Sequence, residues 1–170
     1  AVLARHLDPT SGRYLIDGRD VLDLDPDDVR ELILVVDDEP HIFASTVRAN
    51  LQLAAPDADE DAMIRNLHGA GLRRWIDGLA DGLDTRLGTG GRGLSGGERA
   101  RLGLARALLS QRPVILLDEP VAHLDHATAM AIIDDLTAAT HDRTVVMVSH
   151  RPEGLDGFDR ILDLTPATAR

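Results

Sequence analysis

The sequence predicts an α/β fold: a mostly parallel sheet with helices on both faces and a small inserted helical subdomain. Three observations predict it. Residues 32–36, 114–117 and 145–148 are continuous apolar runs of strand length, the pattern of strands covered on both faces. Helical patterns separate these runs, and strands alternating with helices build a parallel sheet. Each run is followed at once by polar residues: Asp37-Asp38-Glu39, then Asp118-Glu119, then Ser149-His150. Such sheets bind ligands beyond the carboxyl ends of their strands, so Asp38, Asp118, Glu119 and His150 are expected along one edge.

Taken in order, residues 1–7 have apolar side chains at 2, 3 and 7, which suits the end of a helix. Asp8-Pro9-Thr10-Ser11-Gly12 stops it. Residues 13–17 read as a short strand and Asp17-Gly18 as a hairpin turn. Asp25-Pro26-Asp27-Asp28 opens a helix with acids in its first turn. After the first apolar run, Ser45-Thr46 opens a helix with Val47, Leu51 and Leu53 apolar. Residues 57–67 form a second helix through Ala62, Met63, Ile64 and Leu67, and 72–79 a third carrying Trp75. With the glycine-rich loop 82–93, these helices make a subdomain expected over about 44–93. Ser95 caps a helix over 95–109. After the second run, Asp125 starts a helix through Ile132, Ile133 and Leu136, and residues 160–164 alternate like an edge strand. No internal repeat is visible.

Composition narrows the function. The 170 residues suit one domain with a sizeable core. Aromatic residues are only 2%, so that core must be built from Leu, Ile, Val and Ala. A net charge of −11 argues against a nucleic-acid face, which needs clustered cations. There is no cysteine, which excludes disulfides and thiolate metal sites. No apolar run has transmembrane length and no signal peptide is visible. The chain begins Ala1-Val2-Leu3 and is expected to be a fragment. All 18 basic side chains are arginine, so a GxxxxGK[ST] phosphate loop cannot occur within these residues.

The chemistry centres on two stretches. Leu94-Ser95-Gly96-Gly97-Glu98 is a glycine-rich turn opening onto a helix, and backbone N–H groups at such a turn bind phosphate oxygens. Taken alone it reads equally as a helix cap after a flexible turn, but Arg99, Arg101 and Arg106 behind it favour an anion. Asp118-Glu119 closes a buried strand, where a charged pair is costly unless paired or bound to metal. Asp118 suits Mg²⁺, directly or through water, and Glu119 suits polarising a water. The alternative is two acids emerging into solvent. His150 alone reads as structural; beside a phosphate site it can contact the γ-phosphate or hold the attacking water. Asp125 alone reads as an N-cap.

Leu94-Ser95-Gly96-Gly97-Glu98-Arg99, Leu116-Leu117-Asp118-Glu119-Pro120, His123-Leu124-Asp125 and Val148-Ser149-His150 together resemble the ABC ATPase family in order and spacing. They match its signature motif, Walker B strand with catalytic glutamate, D-loop and switch histidine. The resemblance implies a P-loop NTPase-like fold, ATP and Mg²⁺ as cofactors, and a dimer in which signature residues face the partner's nucleotide. It places Ser95, Gly96, Gly97, Glu98 and Asp125 at the nucleotide, Asp118 and Asp38 at the metal, and Glu119 and His150 in catalysis. The helix over 95–109 becomes the signature helix, and 114–150 the Walker B to switch region.

Pro40-His41-Ile42-Phe43 and Thr46-Val47-Arg48-Ala49-Asn50-Leu51 are most similar to exporter-type domains. Asp38-Glu39-Pro40-His41 and His123 resemble the exporter subunits of cytochrome bd assembly, which move thiol compounds. Such proteins act at the cytoplasmic face of the cell membrane with transmembrane partner domains. Three departures stand out. The family's phosphate loop would precede Ala1, so the chain alone is expected to be inactive. Asp38 occupies the position of the family's Q-loop glutamine, and an ionised carboxylate cannot donate hydrogen bonds. Thr89 stands where these exporters usually carry a glutamate. Two alternatives stay open: a catalytically degenerate regulatory half of a heterodimer, and a soluble ABC-type ATPase.

Overall fold

A computed structural model describes residues 1–122, 124–151 and 154–164. It opens with a small hairpin: β1 (Leu15–Ile16) pairs antiparallel with β2 (Arg19–Asp20). Asp17 and Gly18 both adopt positive φ, 49° and 78°, as a two-residue hairpin turn demands. Helix α1 (Pro26–Leu32) starts with proline, the Asp25 carboxylate accepting from Asp27 N. It runs straight into β3 (Ile33–Val36), so Leu32, expected in the strand, is the last helical residue.

β3, β4 (Val114–Asp118) and β5 (Thr144–Val148) form a parallel sheet in that order, with Val36 opposite Leu117 and Asp118 opposite Val148. One face carries Leu34, Val36, Ile115, Leu117, Val145 and Met147 under α5 (Gly96–Leu109) and α6 (His126–Ala139). Each fully covered leucine or isoleucine there is worth about 1.5–3 kcal/mol of apolar burial. On the other face, Ile33 and Leu116 pack with Val29 of α1 and Ala4. Helices therefore lie on both faces, with the second face covered mainly over β3 and β4.

The insert comprises α2 (Val47–Gln52), α3 (Glu60–Gly69) and α4 (Arg73–Asp77), whose apolar sides join the same core as α5. Thr46 caps α2, and Asp59 caps α3 by accepting from Ala62 N, so α3 starts at Glu60 and not at 57. The loop 82–93 contains two short 3₁₀ turns, and it is tied to the start of α2 by Val47 N to Thr85 O and Leu87 N to Ser45 O.

Three further expectations are corrected. Residues 1–7 form turns: Arg5 has φ 56°, and its guanidinium bonds Val21 O and Asp8. A residue at positive φ cannot continue a right-handed helix, so the chain turns at Arg5. β5 is half open, because it is an edge strand and Val146 and Val148 lie on the thinly covered face. Residues 160–164 form no strand: Ile161, Leu162 and Leu164 are exposed and pair with no ladder among the described residues. Alternation alone supplies no pairing partner.

Candidate functional site

The parallel register brings the predicted polar residues to one edge. Asp118 ends β4, Glu119 follows it, Asp38 lies two residues beyond β3, and His150 lies two beyond β5. Glu119 and His150 meet directly. The Glu119 N–H donates to Val148 O at 3.0 Å, and its carboxylate accepts from His150 N at 3.2 Å. His150 Nδ1 is 2.7 Å from the same carboxylate. That contact places the Nδ1 proton against Glu119 and leaves Nε2 as the nitrogen available to a ligand. Glu119 also has φ 51°, the left-handed region that a non-glycine residue enters only when its surroundings impose it. Nothing in the sequence signals that conformation.

Ser95 is the N-cap of α5 in a complete capping box. Its Oγ accepts from Glu98 N at 3.2 Å, while Glu98 Oε2 accepts from Ser95 N at 2.7 Å and from Ser95 Oγ at 2.9 Å. Glu98, expected at the nucleotide, therefore has its carboxylate engaged in holding this turn; the S-x-x-E spacing was the available signal. Asp125 caps α6 by accepting from Thr128 N at 3.1 Å. The Thr128 hydroxyl, and after it the backbone N–H, holds the Asp125 carboxyl below its usual range. The starts of α5 and α6 pack closely: a Cβ on Gly97 would lie 3.1 Å from Thr128 Cγ2.

Two clefts flank this junction. An open one of about 890 Å³ is lined by Ser95–Glu98, Asp125, Thr128, Arg101, Arg74 and Trp75, among others. A smaller one of about 180 Å³ is lined by Asp38, Pro40, Arg99 and Pro120, among others. Gly96 and Leu124 line both, so the glycine-rich turn is where the Asp38 side and the Asp125 side meet. His123 lies outside the described residues, and Thr89 opens the second 3₁₀ turn.

Asp38 Oδ1 accepts from Glu39 N at 3.0 Å, and Asp118 is exposed at its strand end. Mg²⁺ typically takes one or two carboxylates together with substrate phosphates and waters. Among the described residues no three His, Asp or Glu side chains form a metal-holding group. Asp38 and Asp118 offer two carboxylates, the number Mg²⁺ typically takes from a protein, and among the described residues they are not part of a protein cage.

One polar network escaped the sequence reading. Arg106 of α5 donates from Nε to Asn50 O at 2.9 Å, from Nη1 to His41 O at 2.5 Å, and from Nη2 to Asn50 Oδ1. Burial lowers the Arg106 pKa. On the outer side of the same segment, Phe43 is exposed and makes an edge contact with His41 at 4.5 Å between ring centroids.

A parallel sheet with chemically capable strand ends and a glycine-rich helix start is a P-loop NTPase-like arrangement. The chain belongs to the ABC transporter family, whose model matches residues 1–122. It is 44% identical over 154 residues to the mycobactin import ATP-binding/permease protein IrtB of Mycolicibacterium thermoresistibile, covering 91% of this chain and 27% of that protein. It is 40% identical over 160 residues to the glutathione/L-cysteine transport system ATP-binding/permease protein CydC of Escherichia coli, covering 94% and 28%. Among solved structures it resembles a bacterial Atm1-family ABC exporter with ATP bound, at a TM-score of 0.80 and 31% identity over 91% of this chain and 27% of that one. The chain thus spans little more than a quarter of the length of these relatives.

Proposed function

We propose that this chain is part of the ATP-binding and ATP-hydrolysing domain of an exporter-type ABC transporter. In this reading residues 44–93 are its helical subdomain, 95–109 its signature helix and 114–150 its Walker B to switch region. The observation that carries the proposal is the Glu119–His150 contact at the end of the parallel sheet, in a chain whose α5 begins at a capped glycine-rich turn. Mg-ATP, when bound, supplies the phosphoanhydride bond whose cleavage drives transport and the metal charge that screens its phosphates.

The chain's own residues divide the work. Asp118 and Asp38 offer carboxylate oxygens to Mg²⁺. Glu119 orients the attacking water and accepts its proton, held in place by Val148 O and by both His150 donors. His150 presents Nε2 to the γ-phosphate. Ser95 and the backbone of Gly96 and Gly97 act on nucleotide held by a second ABC ATPase domain, with Glu98 fixing their turn and Asp125 fixing the neighbouring helix start. Transmembrane domains complete the transporter, with this domain on the cytoplasmic face of the membrane. Among the described residues no helix is long and apolar enough to cross a membrane. The relatives carry names for mycobactin import and for glutathione/L-cysteine transport, two different cargoes. We therefore place the choice of cargo in the membrane domains.

Asp38 supports a second reading, a regulatory half of a heterodimer whose own site hydrolyses slowly. ATPase assays on the full transporter, with each nucleotide site disabled in turn, test both. Hydrolysis that persists when only this subunit's site remains supports the first; hydrolysis confined to the partner's site supports the second.

A further inference from the structure

We propose that the face of α5 formed by Arg99, Gly103 and Arg106 is a positioning surface for residues 38–43. Arg106, acting through Asn50, is its fastening, so Asp38 and the start of α5 keep a fixed separation.

The three residues are spaced four and three apart and so share one side of the helix. Each meets the 38–43 segment or what packs on it. Glycine is disfavoured inside a helix and needs a reason there. At Gly103 the reason is close approach: an added Cβ would lie 2.5 Å from Pro40 Cγ and 2.8 Å from Pro40 Cβ. One turn earlier, the Arg99 stem and Ile42 together close over Gly91, where a Cβ would meet Arg99 Cδ at 3.0 Å and Ile42 Cγ1 at 3.2 Å.

One turn later the contact is polar. Asn50 is fully buried on α2 with both ends of its amide used. Oδ1 accepts from Phe43 N at 3.0 Å and from Arg106; Nδ2 donates to Phe43 O at 3.0 Å and to Thr46 O at 2.9 Å. Arg106 adds its own donation to His41 O. A planar fork reaching three acceptors is geometry a lysine cannot reproduce. The burial that lowers the Arg106 pKa is offset by these acceptors. Asp38 and Gly96, walls of one cleft, are thus held to a single helix. The functional consequence rests on the proposed metal role of Asp38; the positioning itself does not.

Hydrogen exchange on the 170-residue chain tests the positioning. Arg106→Lys, Asn50→Leu and Gly103→Ala are each expected to speed exchange across residues 41–46 by at least about tenfold, with residues 100–108 little changed. Gly103→Ala is the decisive variant, because alanine favours the helix itself while pushing Pro40 away. Unchanged exchange in 41–46, or equal loss in both segments, would overturn the proposal. In the full transporter, Gly103→Ala is further expected to raise the Mg²⁺ concentration needed for half-maximal ATPase without raising KM for ATP. That effect should vanish in an Asp38→Asn background. Faster exchange without a shift in Mg²⁺ dependence would support the positioning and remove Asp38 from the metal site.

Discussion

His150 Nδ1 lies 2.7 Å from the Glu119 carboxylate, while the Glu119 N–H donates to Val148 O at 3.0 Å, so the end of β5 grips Glu119 by both its backbone and its side chain. This double hold imposes φ 51° on Glu119, a conformation that costs an L-residue roughly 1–2 kcal/mol. Removing the side chain should separate strain from contact. Glu119→Gly is expected to melt higher than Glu119→Ala, since glycine alone enters this region freely. Equal melting temperatures would show that the conformation carries no strain.

Ser95 should reveal two separable roles. Ser95→Ala breaks the capping box and is expected to cost about 0.5–2 kcal/mol, a shift of a few degrees in melting temperature for a chain of this size. Gly97→Asp leaves that box intact. Its Cβ asks only for a small shift of the Thr128 methyl, so the fold should survive by circular dichroism. In the proposed full transporter, however, the added charge would face phosphate and ATP-driven dimerisation should be lost. Photo-crosslinking of labelled ATP should show the damage at the site whose phosphate loop belongs to the other subunit. Damage confined to this subunit's own loop would contradict the shared site.

Acid should weaken the start of α6. The Asp125 pKa is lowered in the folded chain by Thr128. A lowered folded pKa gives stability that is present above the unfolded value, about 3.9, and lost as pH falls through the folded value. Asp84, lowered by its bond to Arg48, adds to the same limb. Asp125→Asn keeps an acceptor for Thr128 N but does not titrate. Urea midpoints measured from pH 6 to pH 2.5 should therefore fall less steeply in Asp125→Asn than in the wild type. Parallel curves would contradict this assignment.

The 170 residues alone should bind Mg-ATP poorly. They contain no lysine and hence no GxxxxGK[ST] loop, whose lysine reaches the β- and γ-phosphates. Calorimetric titration is expected to show no micromolar binding. A tight one-to-one isotherm would mean that the chain carries a complete site of another kind.

The site was legible where it followed from local chemistry. Three apolar runs ending in Asp38, Asp118-Glu119 and His150 are enough to place those residues along one edge once the strands are parallel, and the register does so. Ser95 and Asp125 were readable as caps because an N-cap acts on residues within one turn of it. What stayed hidden depends on distant partners. The Arg106–Asn50 network joins residues 56 apart, the reason for Gly103 is Pro40, and the φ of Glu119 depends on β5. The expected strand over 160–164 failed for the same reason, since pattern reports a surface and not its neighbour.

The most direct test of the account is the fate of ATP at this subunit's site when Glu119 loses its charge. In the proposed full transporter, Glu119→Gln keeps the shape of the side chain but removes the carboxylate proposed to receive the proton. General-base loss typically costs about 10²–10⁴-fold. Single-turnover measurement with radiolabelled ATP should find hydrolysis at this site slowed by that order and intact ATP retained at the domain interface. Hydrolysis at the wild-type rate would contradict the assignment of Glu119, and with it the catalytic reading of the Glu119–His150 pair.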